Sequence, residues 1–231
     1  MKKSVFAIIS VFSIPCLLFG CTSASKFPAS RVELSSPASQ VSMPDLTSNS
    51  DVMIEYRTDA PETIAMITGK FSDIHVQNEQ DAVSVIASLA NVLGIQDVSQ
   101  EIMFVDRQDV SGSSLTAYTF RQYYENVPVL SDVLKVIVDQ SGTPTMLMNG
   151  YHAIESFSVT PAVDRKAVKK LIKDEYQSRT DGDPELGISF AFRAGQPVLV
   201  WYADIKDSVV KSVYADAASG EILYAEGPVG D

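Results

Sequence analysis

Two stretches of this chain carry a helical period, and each one leads into a run of strand-like segments. Between Gln80 and Leu93 the apolar residues Val83, Ile86, Ala87, Ala90 and Leu93 return at three- and four-residue steps, which places them on one helix face. Gly94 is set to stop that helix. A short strand bounded by Pro61 and Gly69 precedes it, and Glu101 to Val105 and Leu115 to Tyr124 follow as strands, with Arg107, Asp109 and Ser111 to Ser114 as the polar turn between them. Val133 to Asp139 and Thr143 to Met148 are expected to pair as a hairpin about Gln140-Ser141-Gly142. The pattern then repeats. Asp164 caps a predicted helix to about Tyr176, with Val168, Leu171, Ile172 and Tyr176 inward and Lys166, Lys169, Lys170 and Lys173 in solvent. Strands are expected at Gly187 to Arg193, Val198 to Ile205, Val209 to Ala215 and after the turn at Asp216 to Gly220. A helix leading several antiparallel strands must bury its stripe on one sheet face. The expected class is therefore α+β, as two small domains over residues 51–155 and 161–226, each a helix packed on an antiparallel sheet.

Covalent cross-links do not hold this fold together. The chain has two cysteines, Cys16 and Cys21, and both lie in its first 21 residues. Lys2 and Lys3 followed by the apolar run Val5 to Phe19 make a signal peptide over residues 1–20, too short to span a membrane. Cys16 would leave with it. The ending Leu18-Phe19-Gly20-Cys21 resembles the lipobox of bacterial lipoproteins, although Phe19 is a less usual residue there. That resemblance implies acylation of Cys21, palmitate among the chains, and a lipid-anchored protein of the bacterial cell envelope facing away from the cytoplasm. The alternative is ordinary secretory cleavage near Ala24, with Cys21 discarded. Residues 21–50 are rich in serine and proline and read as a tether. With 29 acidic against 18 basic side chains, the formal charge is -11. Such a surface repels nucleic acid and anionic headgroups, leaving acyl chains as the route to the membrane.

Phe120-Arg121-Gln122-Tyr123-Tyr124-Glu125-Asn126-Val127-Pro128-Val129 resembles the signature of the fungalysin/thermolysin propeptide (FTP) domain, matching it at Gln122, Tyr124, Val127, Pro128 and Val129. Asn126 stands where those propeptides usually have glycine, and asparagine is among the few other residues that tolerate a left-handed backbone. Pro128 pushes Val127 toward extended geometry, which sets a strand register. Gln122 is expected to bond the backbone of that turn, and Tyr124 to pack over it with its hydroxyl at the surface. The stretch from Pro161 to Tyr224 resembles a PepSY domain, a cystatin-like helix-on-sheet unit, with Asp216, Gly220 and Glu221 fitting its closing Asp-x-x-x-Gly-Glu turn. In secreted metalloproteases these two domains precede a zinc catalytic domain, which they help to fold and keep inactive. The resemblance implies a non-catalytic protein that binds an exported thermolysin-like metalloprotease in trans, as inhibitor or folding chaperone. The alternative is a structural or adhesive envelope module.

Catalytic and cofactor chemistry find little footing in the residues. No His-Glu-x-x-His occurs, and His75 and His152 are far apart in sequence, so no metal site is expected from them. Ser111 to Ser114 lack a Gly-x-Ser-x-Gly elbow. Asp181, Asp183 and Glu185 are oxygen ligands of the kind calcium takes, but they lack the length and closing glutamate of an EF-hand loop. Trp201 alternates with Leu199, Ala203 and Ile205 and reads as core. The expectation is no enzyme and no cofactor; an undetected hydrolase is the remotest reading.

Overall fold

The computed structural model describes residues 29–34, 39–177, 180–206 and 210–226 of the 231. The elements in chain order are α1 (Met43–Ser48), β1 (Val52–Tyr56), β2 (Ile64–Gly69), α2 (Glu79–Ser88), α3 (Ala90–Leu93), α4 (Val98–Glu101), β3 (Ile102–Asp109), β4 (Thr116–Tyr124), β5 (Val127–Val138), β6 (Pro144–Met148), α5 (Arg165–Tyr176), β7 (Glu185–Arg193), β8 (Gln196–Asp204), β9 (Ser212–Asp216) and β10 (Ile222–Glu226). The class is α+β. Hydrogen bonding runs through one 10-stranded sheet in the order β1-β2-β6-β5-β7-β8-β9-β10, with β4 beside β5 and β3 beside β4. Every pairing is antiparallel except the single bridge Val129↔Ile188 between β5 and β7.

Two hydrophobic clusters sit on this sheet. In the first, α2 lays Ala82, Val83, Val85 and Ile86 against sheet residues that the register aligns into a row, Ile67↔Leu147, Leu147↔Val136 and Val136↔Tyr118. In the second, Val168 and Ile172 of α5 pack on Ile188, Leu199, Trp201, Ala203, Val213 and Ala215. Burying one such side chain fully is worth about 1.5–3 kcal/mol. Strand β5 serves both. Its Leu134, Val136 and Val138 belong to the first cluster, and its Val127 and Val129 to the second. Between these halves the β4–β5 register shifts, from Arg121↔Val133 to Tyr123↔Pro128, a bulge that bends the strand.

Local chemistry sets most of the ends. Asn78 and Asp164 cap α2 and α5 by accepting from Asp81 N and Ala167 N. Gly94, at φ 76°, ends α3 in the left-handed conformation expected of it. The helix expected over 80–93 is broken at Leu89, which leaves helical geometry while staying fully buried. Strand β3 runs on to Asp109, so Arg107 and Asp109 are strand residues opposite Tyr118 and Thr116 and not part of the turn.

The expected tether needs correction over its described part. Ser42 and Asp45 form a capping box at the start of α1, Leu46 is 2% exposed, and Val32, Leu34, Val41 and Met43 pack on the first cluster. Val41 N donates to Ser88 O at 2.8 Å. The fold therefore begins before Asp51, because apolar residues spaced among the serines find a core to join. Cys21, the signal peptide and the start of the strand expected at Val209 lie outside the described residues.

Candidate functional site: a lashed connector and a tyrosine face

The β4–β5 hairpin turns on Glu125 and Asn126 at φ 47° and 66°, both left-handed, between the paired residues Tyr124 and Val127. Two left-handed residues in a two-residue loop make the turn whose twist suits flanking strands. Asn126 takes the conformation its side chain tolerates. Gln122 does not bond this turn, as expected of it, but reaches the connector between the two clusters. Its Nε2 donates to His152 O at 2.7 Å and its Oε1 accepts from His152 N at 2.9 Å. Gln122 is 1% exposed, and this reciprocal pair gives both its amide nitrogen and its amide oxygen a partner. The Tyr124 hydroxyl accepts from Phe157 N at 3.3 Å while its ring, partly exposed, packs on the second cluster. Val127 and Val129 are buried in that cluster, and Pro128, which has no N–H to give, stands opposite Tyr123.

The Asp-x-x-x-Gly-Glu turn holds the connector's other end. Asp216, 5% exposed, accepts at Oδ1 from Ala218 N (2.7 Å) and Ser219 N (3.1 Å), and Arg193 donates to its Oδ2 at 3.3 Å. Gly220, at φ 79°, donates its N–H to Asp216 O, and the exposed Glu221 gives its carbonyl to Asp216 N. This closed turn presents Ala217 O to the N–H groups of Ala162 and Val163 at 2.9 and 3.0 Å. Trp201, buried in the second cluster, donates to Val163 O at 2.8 Å. The structure thus gives residues from both sequence motifs one common task, the fastening of residues 149–163.

A cluster that sequence reading missed stands on the connector. The His152 ring lies 2.8 Å from Asp132 Oδ2 and 3.3 Å from the Arg57 guanidinium, and stacks at 4.0 Å on Phe190 of β7. Its members come from four distant parts of the chain, so no local spacing signals it. Beside it Tyr151 donates to Glu101; burial, then that bond, raises the phenol well above its ordinary pKa and keeps it a donor. Gln96, Gln100, Glu101, Tyr123, Asn126 and Tyr151 line a cleft of about 230 Å³ here. His75 has other neighbours, the Asp139–Gly142 turn. The carboxylates weighed for calcium go separate ways: Asp181 pairs with Lys206, Asp183 with Lys169, and Glu185 accepts from the Tyr202 hydroxyl at 2.9 Å. Among the described residues no group of three or more His, Cys, Asp or Glu is set to hold a metal, and no helix is long and apolar enough to cross a membrane.

Alternation in β8 sends Leu199, Trp201 and Ala203 toward α5 and Tyr202 the other way. On that far face Tyr202, Tyr214 and Tyr224 stand side by side on β8, β9 and β10, with ring centroids 6.4 and 6.1 Å apart, and Phe192 joins at 5.7 Å. Arg121 acts electrostatically on Tyr123, Tyr202 and Tyr214, and Glu185 on Tyr123 and Tyr202. Burial is the main cause that raises the phenols of Tyr123, Tyr202 and Tyr214; carboxylates nearby raise them further and Arg121 opposes. The Arg121 Nε is buried with no hydrogen-bond partner among the described residues. A buried donor left unpaired costs about 1–3 kcal/mol.

No family model matches the chain, and no curated protein matches it. Among solved structures, the C-terminal domain of YpeB from Bacillus megaterium is similar at 14% identity, with a TM-score of 0.41, over 84% of this chain and 100% of that one. At that similarity the two share no more than an outline, and the reading of this chain rests on its own residues.

Proposed function

We propose that this chain is a non-catalytic, lipid-anchored envelope protein that works as a detached propeptide, binding an exported thermolysin-like metalloprotease in trans as inhibitor or folding chaperone. The observation that carries the binding role is the face built from Tyr202, Tyr214, Tyr224 and Phe192, where the Arg121 charge acts on Tyr202 and Tyr214. Tyrosine, phenylalanine and arginine are the side chains enriched at the centres of protein interfaces, where an arginine finds its acceptor on the partner. The partner class comes from the resemblance of Gln122, Tyr124, Val127, Pro128 and Val129 to the propeptide signature.

The test is capture of secreted and envelope proteins on the mature protein, followed by protease assays with the captured enzyme. Enrichment of a zinc protease that the protein slows or helps to fold, with both effects weakened by Arg121→Ala, supports the proposal. Retention by cell-wall material with no protease enriched overturns it in favour of a structural or adhesive module.

A further inference from the structure

Four of the seven methionines lie on one small area of sheet, at the end away from the tyrosine face. Register places them. On β2 and β6, Met66 is directly opposite Met148, and Thr68 is opposite Met146; on the β1 side, Thr68 is also opposite Met53. Ile54, Ile67 and Leu147, which alternate with them, are turned into the first cluster, so the methionines share the outer face. Met53 is 64% and Met148 40% exposed, while Met66 and Met146 are partly exposed. Opposed side chains in an antiparallel pair start about 4.5–5.5 Å apart at Cβ, and diagonal neighbours about 7–8 Å. Three rotatable bonds allow each thioether to converge on a common point above the strands.

We infer that Met66, Met146 and Met148 form a binding site for a soft monovalent metal ion, Cu(I) in kind, with Met53 reaching it from the neighbouring strand. Thioether sulfur is neutral and polarisable. It selects Cu(I) over zinc, calcium or magnesium, which favour imidazole, thiolate or oxygen ligands. The one carboxylate placed in register with this set is Glu55, exposed and opposite Met66, where it balances a single positive charge without crowding the ion with oxygen. Lys135 lies on the far side, opposite Met148, and bounds the site. The set spans three adjacent strands, so the folded sheet supplies the arrangement before any ion arrives. This inference is independent of the protease reading, since the tyrosine face lies at the other end of the sheet.

The experiment titrates Ag(I), a soft ion of the same charge that needs no reductant, into the full chain carrying methyl-labelled methionine and the replacements Cys16→Ser and Cys21→Ser, which remove the competing thiols. The methyl resonances of Met66, Met146 and Met148 are expected to shift together and saturate at one ion per chain, while those of Met43 and Met103 stay in place. Cu(I) binding is then measured in competition with a chromophoric Cu(I) chelator. Met66→Leu with Met148→Leu should weaken it by about tenfold or more. Leucine nearly conserves the side-chain volume, so circular dichroism should be unchanged. The inference is overturned if no methionine methyl responds, if all respond alike without saturating, or if the leucine variant keeps the parent's affinity. A variant that fails to fold leaves the resonance titration of the parent to decide.

Discussion

Gln122 is the residue whose replacement tells most. Truncation to alanine leaves both backbone groups of His152 without their partner, and an unpaired buried donor or acceptor costs about 1–3 kcal/mol. Gln122→Ala should therefore lower stability by about 2–4 kcal/mol, read from the urea midpoint of Trp201 fluorescence. An unmoved midpoint would show that the connector is not held there. A second residue gives a pH test. Asp139 accepts from the Ser141 hydroxyl, Thr143 N and Ser141 N, which together hold its carboxyl below the ordinary 3.8. A depressed folded-state pKa means stabilisation present above the unfolded value and lost as pH falls through the folded one. The 139–143 turn should hold at neutral pH and loosen in acid, with the Asp139 carboxyl titrating below that of a free aspartate by carbon NMR. Both turns were legible from the sequence, since Asn126 and Gly142 announce left-handed backbone. The partner of Gln122 was not, because His152 stands 30 positions away and nothing local points to it.

Among the elements, the seam between β5 and β7 is the most exacting. A Cβ built on Gly187 would lie 2.3 Å from Leu130 Cδ1 and 2.5 Å from its Cγ, so the glycine is there to admit that leucine. Gly187→Ala should destabilise by about 1–3 kcal/mol as an overpacked contact. Adding Leu130→Ala should recover part of the loss, a coupling that a double-mutant cycle measures; strictly additive losses would rule out the contact as the cause. Elements with a strong period and a cap, such as α5 behind Asp164, were legible in their bounds and in the buried Val168 and Ile172. Leu171, expected inward with them, is 36% exposed because the sheet covers only a narrow stripe of the helix. Weaker elements were not legible. Serines on either side hid α1, and Leu89, which ends α2, looks in sequence like one more apolar helix position.

At the scale of the molecule, β5 couples the two clusters. Gln122→Ala strains the connector, and its effect should appear equally in Trp201 fluorescence, which reports the second cluster, and in amide exchange of α2, which reports the first. Different midpoints for the two probes would mean that the halves unfold separately. Anchoring belongs to this scale too. Acyl chains contribute about 0.8 kcal/mol per buried methylene, so Cys21→Ser should move the mature protein from the membrane to the soluble fraction. A variant as firmly bound as the parent would remove the lipid anchor from the proposed function.

The division of β5 between two cores also decides how the chain can be cut. A polypeptide starting at Pro161 contains α5 and β7 to β10 but lacks Val127 and Val129, which lie at 9% and 0% exposure in the cluster those elements build. Expressed alone, it should remain incompletely packed. Supplied with the N-terminal piece as a separate chain, it should regain its native fluorescence by fragment complementation, the β4–β5 hairpin arriving from outside to fill the gap.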